Sequence, residues 1–250
     1  MPNLYYTPES VMAIAAHPDD IEFGCAGTIA RWLQEGARAA YVLVTSGDVG
    51  IAKPDMSKAK AAEIRETETL AAARVVGVDD VTFLRVPDGM VENTMALRKQ
   101  LVHQIRRFKP EVIITADPTV IFPPTGGINH PDHRAVGLAV VDAVFPASGQ
   151  PHLFAELADE GFTAHKVRKV YLTARGTGDT YINISHTIDL KIEALRQHAS
   201  QVGEWEDLDK RIRERTAKLG AGKEMAYAES FRVITVEDDE TWEKLQATQQ

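Results

Sequence analysis

Short apolar runs alternate with longer amphipathic stretches through the first 150 positions. Residues 11–16, 39–45, 81–86 and 112–116 are brief, apolar and bounded by polar or turn residues, which predicts buried strands. Helical patterns lie between them. Ala26, Ile29, Ala30 and Leu33 recur at i, i+3, i+4, i+7 and stop at Gly36. An Ala-rich stretch over 57–76 ends at Gly77. Leu97, Leu101, Ile105 and Phe108 make one stripe, and Pro110 forbids its continuation. Strands alternating with helices imply βαβ units with right-handed crossovers. The predicted class is α/β, with a mainly parallel sheet flanked by helices.

Further along, the pattern changes. Residues 117–133 carry Pro118, Pro123, Pro124, Gly126, Gly127 and Pro131, a punctuated loop of a length that tends to be functional. A helix resumes over 133–143. After Gly149 the signal is less regular, with strands expected at 167–173, 181–184 and 231–236 and helices at 190–202 and 204–218. The expected organisation is one domain over 1–250. Its core spans about 10–150, and the part from about 151 to 250 contributes to a substrate cleft.

Composition narrows the function classes. At 250 residues and 44% apolar, the chain buries enough surface to fold without a disulfide or metal. Its one cysteine, Cys25, excludes an internal disulfide and a four-cysteine zinc site and fits a reducing compartment. A net charge of −8 argues against nucleic acid as a partner. The first basic residue is Arg31, and no apolar run approaches the ~18 residues of a membrane helix. The expectation is a soluble cytoplasmic protein with no membrane partner. A homo-oligomer is compatible with this, though nothing in the sequence specifies an interface.

Titratable residues gather where the strands end. His17-Pro18-Asp19-Asp20-Ile21-Glu22 follows the first strand, Ser46-Gly47-Asp48 the second and Pro87-Asp88-Gly89 the third. Asp117 and then Asn129-His130-Pro131-Asp132-His133 follow the fourth. In a parallel sheet these ends share one edge, where ligands bind. His17 and Asp20 lie three apart across a turn stiffened by Pro18 and can converge on one point. His133 would complete the two-histidine, one-carboxylate set that zinc hydrolases use, leaving a position open for water. Asp19 then lies beside that water, and His130 with Asp132 forms an acid–base or supporting pair. Either motif alone reads more simply as a helix N-cap with a dipole-favoured acid. Two histidine motifs at predicted strand ends favour the metal.

These residues resemble the zinc-dependent de-N-acetylases of the LmbE-like (PIG-L) family, in its bacterial branch. The resemblance rests on Ala16-His17-Pro18-Asp19-Asp20 with Glu22, and on His130-Pro131-Asp132-His133. Softer echoes are Thr45-Ser46-Gly47, Arg65 with Glu68, Pro87-Asp88-Gly89, Lys191 with His198-Ala199-Ser200-Gln201, and Tyr227-Ala228-Glu229-Ser230-Phe231. Together they span about residues 10–235. Many members carry Glu directly after the Asp pair, where this chain has Ile21. The resemblance implies a Rossmann-like fold, a Zn2+ cofactor and removal of an N-acetyl group from an N-acetylglucosamine-type small molecule. It implies His17, Asp20 and His133 as zinc ligands and Asp19 as general base. His130 would stabilise the oxyanion as an imidazolium held by Asp132, and Arg65 and Asp88 would contact substrate.

Two other readings use the same residues. A non-haem iron(II) oxygenase would pair His17-x-Asp19 with a distant histidine. A non-catalytic module would bind a sugar without turnover. Cys25 reads as a small buried hydrophobe and His103 as a solvated helical residue. His152, His165 and His186 carry no spacing partner. His198 reads as an ordinary helical histidine apart from the family echo. Gly220-Ala221-Gly222-Lys223 lacks the strand and hydroxyl residue of a phosphate loop and reads as a helix end.

Overall fold

Strands form where short apolar runs can be covered on both faces. The computed structural model describes residues 6–173 and 178–249. In chain order these fold as β1 (Ser10–Ala15), α1 (Asp20–Gly24), α2 (Ala26–Gln34), β2 (Arg38–Thr45), α3 (Lys58–Val76) and β3 (Asp80–Val86). Then come α4 (Met95–Phe108), β4 (Val112–Ala116), α5 (Pro131–Asp142), α6 (Glu156–Asp159), β5 (Lys169–Thr173) and β6 (Thr180–Asn183). The chain continues through α7 (Ile188–Gln197), α8 (Ala199–Val202), α9 (Leu208–Gly220), β7 (Ala228–Thr235) and α10 (Asp239–Gln249). After α5 the chain turns through Ala143–Ser148 with a kink at Phe145, whose φ/ψ of −131°/122° is extended rather than helical.

The seven strands make one sheet in the order β3-β2-β1-β4-β5-β7-β6. β1 to β5 run parallel, while β7 is antiparallel to both β5 and β6. The parallel part is doubly wound. Ala13 pairs with Tyr41 on one side and Ile114 on the other, so β1 and β4 meet where the strand order reverses. That switch point is where such sheets leave a crevice at the carboxyl ends of their strands.

Alternation along β1 sorts the core. Val11, Ala13 and Ala15 join one apolar cluster with Ile29, Trp32, Ala72 and Phe231. Met12, Ile14 and Ala16 face the other way, onto Leu101, Ile105, Val136 and Val140. Helix ends follow local chemistry. The Ser57 hydroxyl accepts from Lys60 N at α3, and Thr94 accepts from Leu97 N at α4. α3 stops at Gly77, whose φ of 98° is the left-handed end of a helix. Among the described residues no helix is long and apolar enough to cross a membrane.

The later elements differ from expectation in detail. The helix expected over 190–202 is two helices broken at His198, whose φ/ψ of −81°/54° leaves the helical region. The helix expected from 204 begins at Leu208, and the last strand begins at Ala228 rather than 231. Cys25, read as a small buried hydrophobe, sits at the break between α1 and α2 and is 2% exposed. His103 is half-buried, its ring meeting the edge of Phe162.

Candidate metal centre and active site

The two histidine motifs start helices, and that is how they come together. His17 follows β1, and the Asp20 carboxylate accepts from its backbone N–H at 2.9 Å, closing the turn into α1. Asp19 caps α1 with φ of 89°, a left-handed conformation that Asp tolerates better than most residues and that recurs at functional sites. At the second motif, His130 Nδ1 accepts from Asp132 N at 3.2 Å as the N-cap of α5, and Pro131 fills the first turn. Helix cap and chemical site are the same residues. The loop before α5 is pinned by Asn129, whose backbone N–H and side-chain Nδ2 donate to the carbonyls of Ile121 and Val120.

Three side chains converge. His17 Nδ1 lies 3.2 Å from His133 Nε2, His133 Nε2 lies 3.0 Å from Asp20 Oδ1, and His17 Nδ1 lies 3.4 Å from Asp20 Oδ2. Separations of this size are what ligands about 2.0–2.1 Å from one small cation would show. The outer partners set the tautomers. His17 Nε2 faces Asp88 Oδ1 at 3.1 Å and Asp132 Oδ2 at 3.3 Å, so it carries the proton. His133 Nδ1 faces Asn129 Oδ1 at 3.1 Å, so it too is the donor. Both inner nitrogens therefore present lone pairs to each other and to a carboxylate. That arrangement calls for a cation, and nitrogen and oxygen donors in this number suit zinc. With a proton as the only cation, His17 is driven up to about 10; burial opposes this, but Asp20 and Asp88 outweigh it. Asp20 is held low, because His133 and His17 overcome the opposing effect of burial.

Asp19 stands beside this cluster without joining it. Its carboxyl is pushed up to about 7 by burial and by the charge of Asp20, against the pull of Arg65. A bound dication would draw that value back down. A carboxylate poised in this range suits a general base. The oxygenase reading required Asp19 as the metal carboxylate; the carboxylate that meets the two histidines is Asp20.

Four residues have occupations other than those implied by resemblance. Asp132 does not hold the His130 ring with its carboxylate, which instead engages His17 and accepts from Gly89 N and Val91 N. His130 is consequently not primed as an imidazolium. Its Nδ1 accepts from an amide, and burial and the charge of His17 push its pKa below the usual value, so a neutral ring presents Nε2–H. Arg65 is 4% exposed and donates to Pro18 O at 2.7 Å, Gly47 O at 3.3 Å and Asp19 Oδ2 at 3.3 Å. It braces the base. Gly47, with φ of 64°, makes room for it, since a Cβ there would lie 2.2 Å from Arg65 Nη1. Asp88, 6% exposed, supports His17.

Sequence reasoning assigned no role to Asn129, although it adjoins the second motif. It also gave none to a buried pair at the α1–α2 break. Lys191 Nζ donates to Glu229 Oε1 at 2.6 Å and to the α1 carbonyls of Glu22 and Phe23. Glu229 accepts from Gly27 N and Thr28 N, the open first turn of α2. One ion pair thus caps the end of one helix and the start of the next. His198 lies behind Asp19, fully buried, with Nε2 3.1 Å from Glu22 Oε2. Only their shared appearance in the family echo pointed to these residues.

Known proteins place the chain in a family. The family model described as GlcNAc-PI de-N-acetylase (PIG-L) matches residues 12–144, which hold both histidine motifs. The chain belongs to this family. A diacetylchitobiose deacetylase of Thermococcus kodakarensis is 28% identical over 228 residues, covering 90% of this chain and 83% of that protein. A 1D-myo-inositol 2-acetamido-2-deoxy-alpha-D-glucopyranoside deacetylase of Actinosynnema mirum is also 28% identical, with 80% and 83% covered. Among solved structures, an N,N'-diacetylchitobiose deacetylase from Pyrococcus horikoshii superposes with a TM-score of 0.83 at 27% identity, covering 94% of this chain and 86% of that one.

Proposed function

We propose that this protein is a zinc-dependent hydrolase that removes the N-acetyl group from an N-acetylglucosamine-type small-molecule conjugate. The observation that carries the reading is that the outer nitrogens of His17 and His133 each face an acceptor oxygen, so that their inner nitrogens and the Asp20 carboxylate face one point. Zinc bound there would polarise the amide carbonyl and lower the pKa of a water to about 7. The chain supplies the proton handling. Asp19, braced by Arg65, accepts the proton of the attacking water. His130 presents Nε2–H to the carbonyl oxygen as it gains charge, a preorganised donor that costs no reorganisation during reaction. The proton taken by Asp19 passes to the nitrogen as the C–N bond breaks, giving acetate and a free amine. Relatives that act on acetylated chitobiose and on a glucosaminyl inositol support this substrate class.

Two measurements test the reading together: metal content of untagged protein and acetate release from a panel of N-acetylglucosamine conjugates. The expected result is about one zinc per chain, with turnover by the wild type. Asp19→Asn, which keeps side-chain size and tolerates the left-handed backbone, should keep the zinc and lose about 10²–10⁴ in kcat. Full turnover in that variant, or protein that takes up no metal on reconstitution, would overturn the mechanism.

A further inference from the structure

The loop over 117–133 leads into the catalytic set, yet the mechanism uses only its last residues. From Thr119 to Asn129 it carries no charged residue, in a chain that is 26% charged. Three of its apolar side chains stand in solvent: Phe122 and Ile128 are each 74% exposed, and Ile121 is 45% exposed. Met90, in the loop after β3, is 69% exposed. Single exposed apolar residues are ordinary; several gathered at one place mark a binding surface.

Hydrogen bonds gather these four beside the site. The Asn129 backbone N–H donates to Ile121 O at 2.9 Å, which brings Ile121 and Phe122 back beside the residue that holds His133. Ile128 stands two positions before His130. Met90 lies between Gly89 and Val91, whose amides both donate to the Asp132 carboxylate. All four thus border the start of α5, where His130 is exposed. The loop is also held in one shape. Pro123 and Pro124 restrict its backbone, Gly126 N closes a turn on Pro123 O at 2.9 Å, and Gly126 and Gly127 take φ of 93° and 85°. A surface fixed before binding loses little freedom when a ligand settles on it.

The occupant follows from the position. Acetyl removal brings the sugar nitrogen within reach of Asp19 and His130, and the group joined to the sugar then meets these side chains at the mouth of the site. An anionic membrane would call for lysine or arginine beside the apolar tips, and the loop has neither. A second copy of the chain would need roughly 800 Å² per partner, more than four partly exposed side chains supply. We propose that Phe122, Ile128, Ile121 and Met90 form a subsite for an apolar aglycone, so that the preferred substrates are N-acetylglucosamine conjugates of an aryl or alkyl group. This rests on the hydrolase reading and names the part of the substrate that it leaves open.

The test compares the methyl and phenyl glycosides of N-acetylglucosamine with N,N'-diacetylchitobiose on the zinc-loaded full chain, following acetate. kcat/KM for the phenyl glycoside should exceed that for the other two by about tenfold or more, chiefly through KM. Phe122→Ser and Ile128→Ser should each bring the phenyl-to-methyl ratio below about threefold. Ile234→Ser is the control. It removes an exposed apolar side chain opposite Val170, near the amino end of β5 and away from the strand ends that carry the site, and should leave the ratio unchanged. Calorimetry on Asp19→Asn reads binding without turnover. There the phenyl glycoside should bind at least about fivefold tighter than the methyl one, and adding Phe122→Ser should erase the difference. Equal kcat/KM for the three substrates, or a preference for N,N'-diacetylchitobiose, would overturn the subsite and leave the hydrolase intact. A wild type that self-associates in sedimentation and is dispersed by Phe122→Ser, with the ratio unmoved, would overturn it in favour of a contact between copies. No turnover of any glycoside would overturn the hydrolase reading alone if the calorimetric preference is intact, and both proposals if it is absent.

Discussion

At the scale of single residues, the site is governed by what stands behind each donor. His17 would serve a metal only while Nε2 keeps its proton, and Asp88 in the loop after β3 and Asp132 at the start of α5 both face that nitrogen. Asp132 is the more committed of the two. It is 1% exposed and also accepts from the amides of Gly89 and Val91, so it locks the loop after β3 to the ring of His17. Asp132→Asn keeps the volume but weakens this acceptor and places an N–H donor among donors. We expect metal affinity to fall by about 10–100-fold with little change in fold. Competition with a chromogenic chelator, read beside the circular dichroism spectrum, checks this. Unchanged affinity would mean that Asp88 alone fixes the ring.

At the scale of elements, the α1–α2 break is the feature that the rest of the fold must pay for. Two helix ends meet there with open carbonyls and amides, and Lys191 from α7 and Glu229 from β7 close both. The pair is almost completely buried, at 2% and 3%. Removing one partner leaves a bare charge in the core. Lys191→Met should therefore destabilise the protein by about 3–5 kcal/mol, and adding Glu229→Gln should recover part of that loss. Urea midpoints of the two single variants and the double variant measure the coupling. Additive losses would show that the two side chains act separately. The same break marks the limit of what sequence pattern conveys. The runs that became β1, β2 and β4 were legible because strands buried on both faces read as short, apolar and β-branched, whereas the run at 81–86, expected to be buried, became the edge strand β3 and is only half-buried. The interruption at His198 was not, because Ile188, Ile192, Leu195 and Val202 sustain an unbroken apolar stripe across it. At the break His198 Nε2 lies 3.1 Å from an oxygen of Glu22, a residue of α1 more than 170 positions earlier, a neighbour that local pattern cannot reveal.

On the scale of the whole molecule, the catalytic set depends on how closely α5 approaches the sheet. The motifs announced a site at the strand ends, but their mutual distance depends on β1 and β4 being neighbours, which strand order decides and local pattern does not. It depends further on Gly137, one turn beyond His133 on α5. A Cβ at that position would lie 2.3 Å from the carbonyl oxygen of Ala116, the last residue of β4, so the bare backbone is what lets the helix seat against the strand end. The obstacle is main chain rather than a flexible side chain, and it cannot swing aside. Gly137→Ala should therefore push α5 outward, carrying His133 away from His17 and Asp20. The overpacking should cost about 1–3 kcal/mol, outweighing any gain in helix propensity from alanine. The accompanying change at the cluster should appear as weaker zinc binding in a protein that still unfolds cooperatively. Ala139→Gly, on the same helix and without a metal contact, is the control. It should cost comparable stability through helix propensity and cavity formation while leaving zinc affinity near the wild-type value. Equal zinc affinity in Gly137→Ala and the wild type would show that the cluster tolerates a displaced α5 and that its geometry is held by the loop at Asn129 instead.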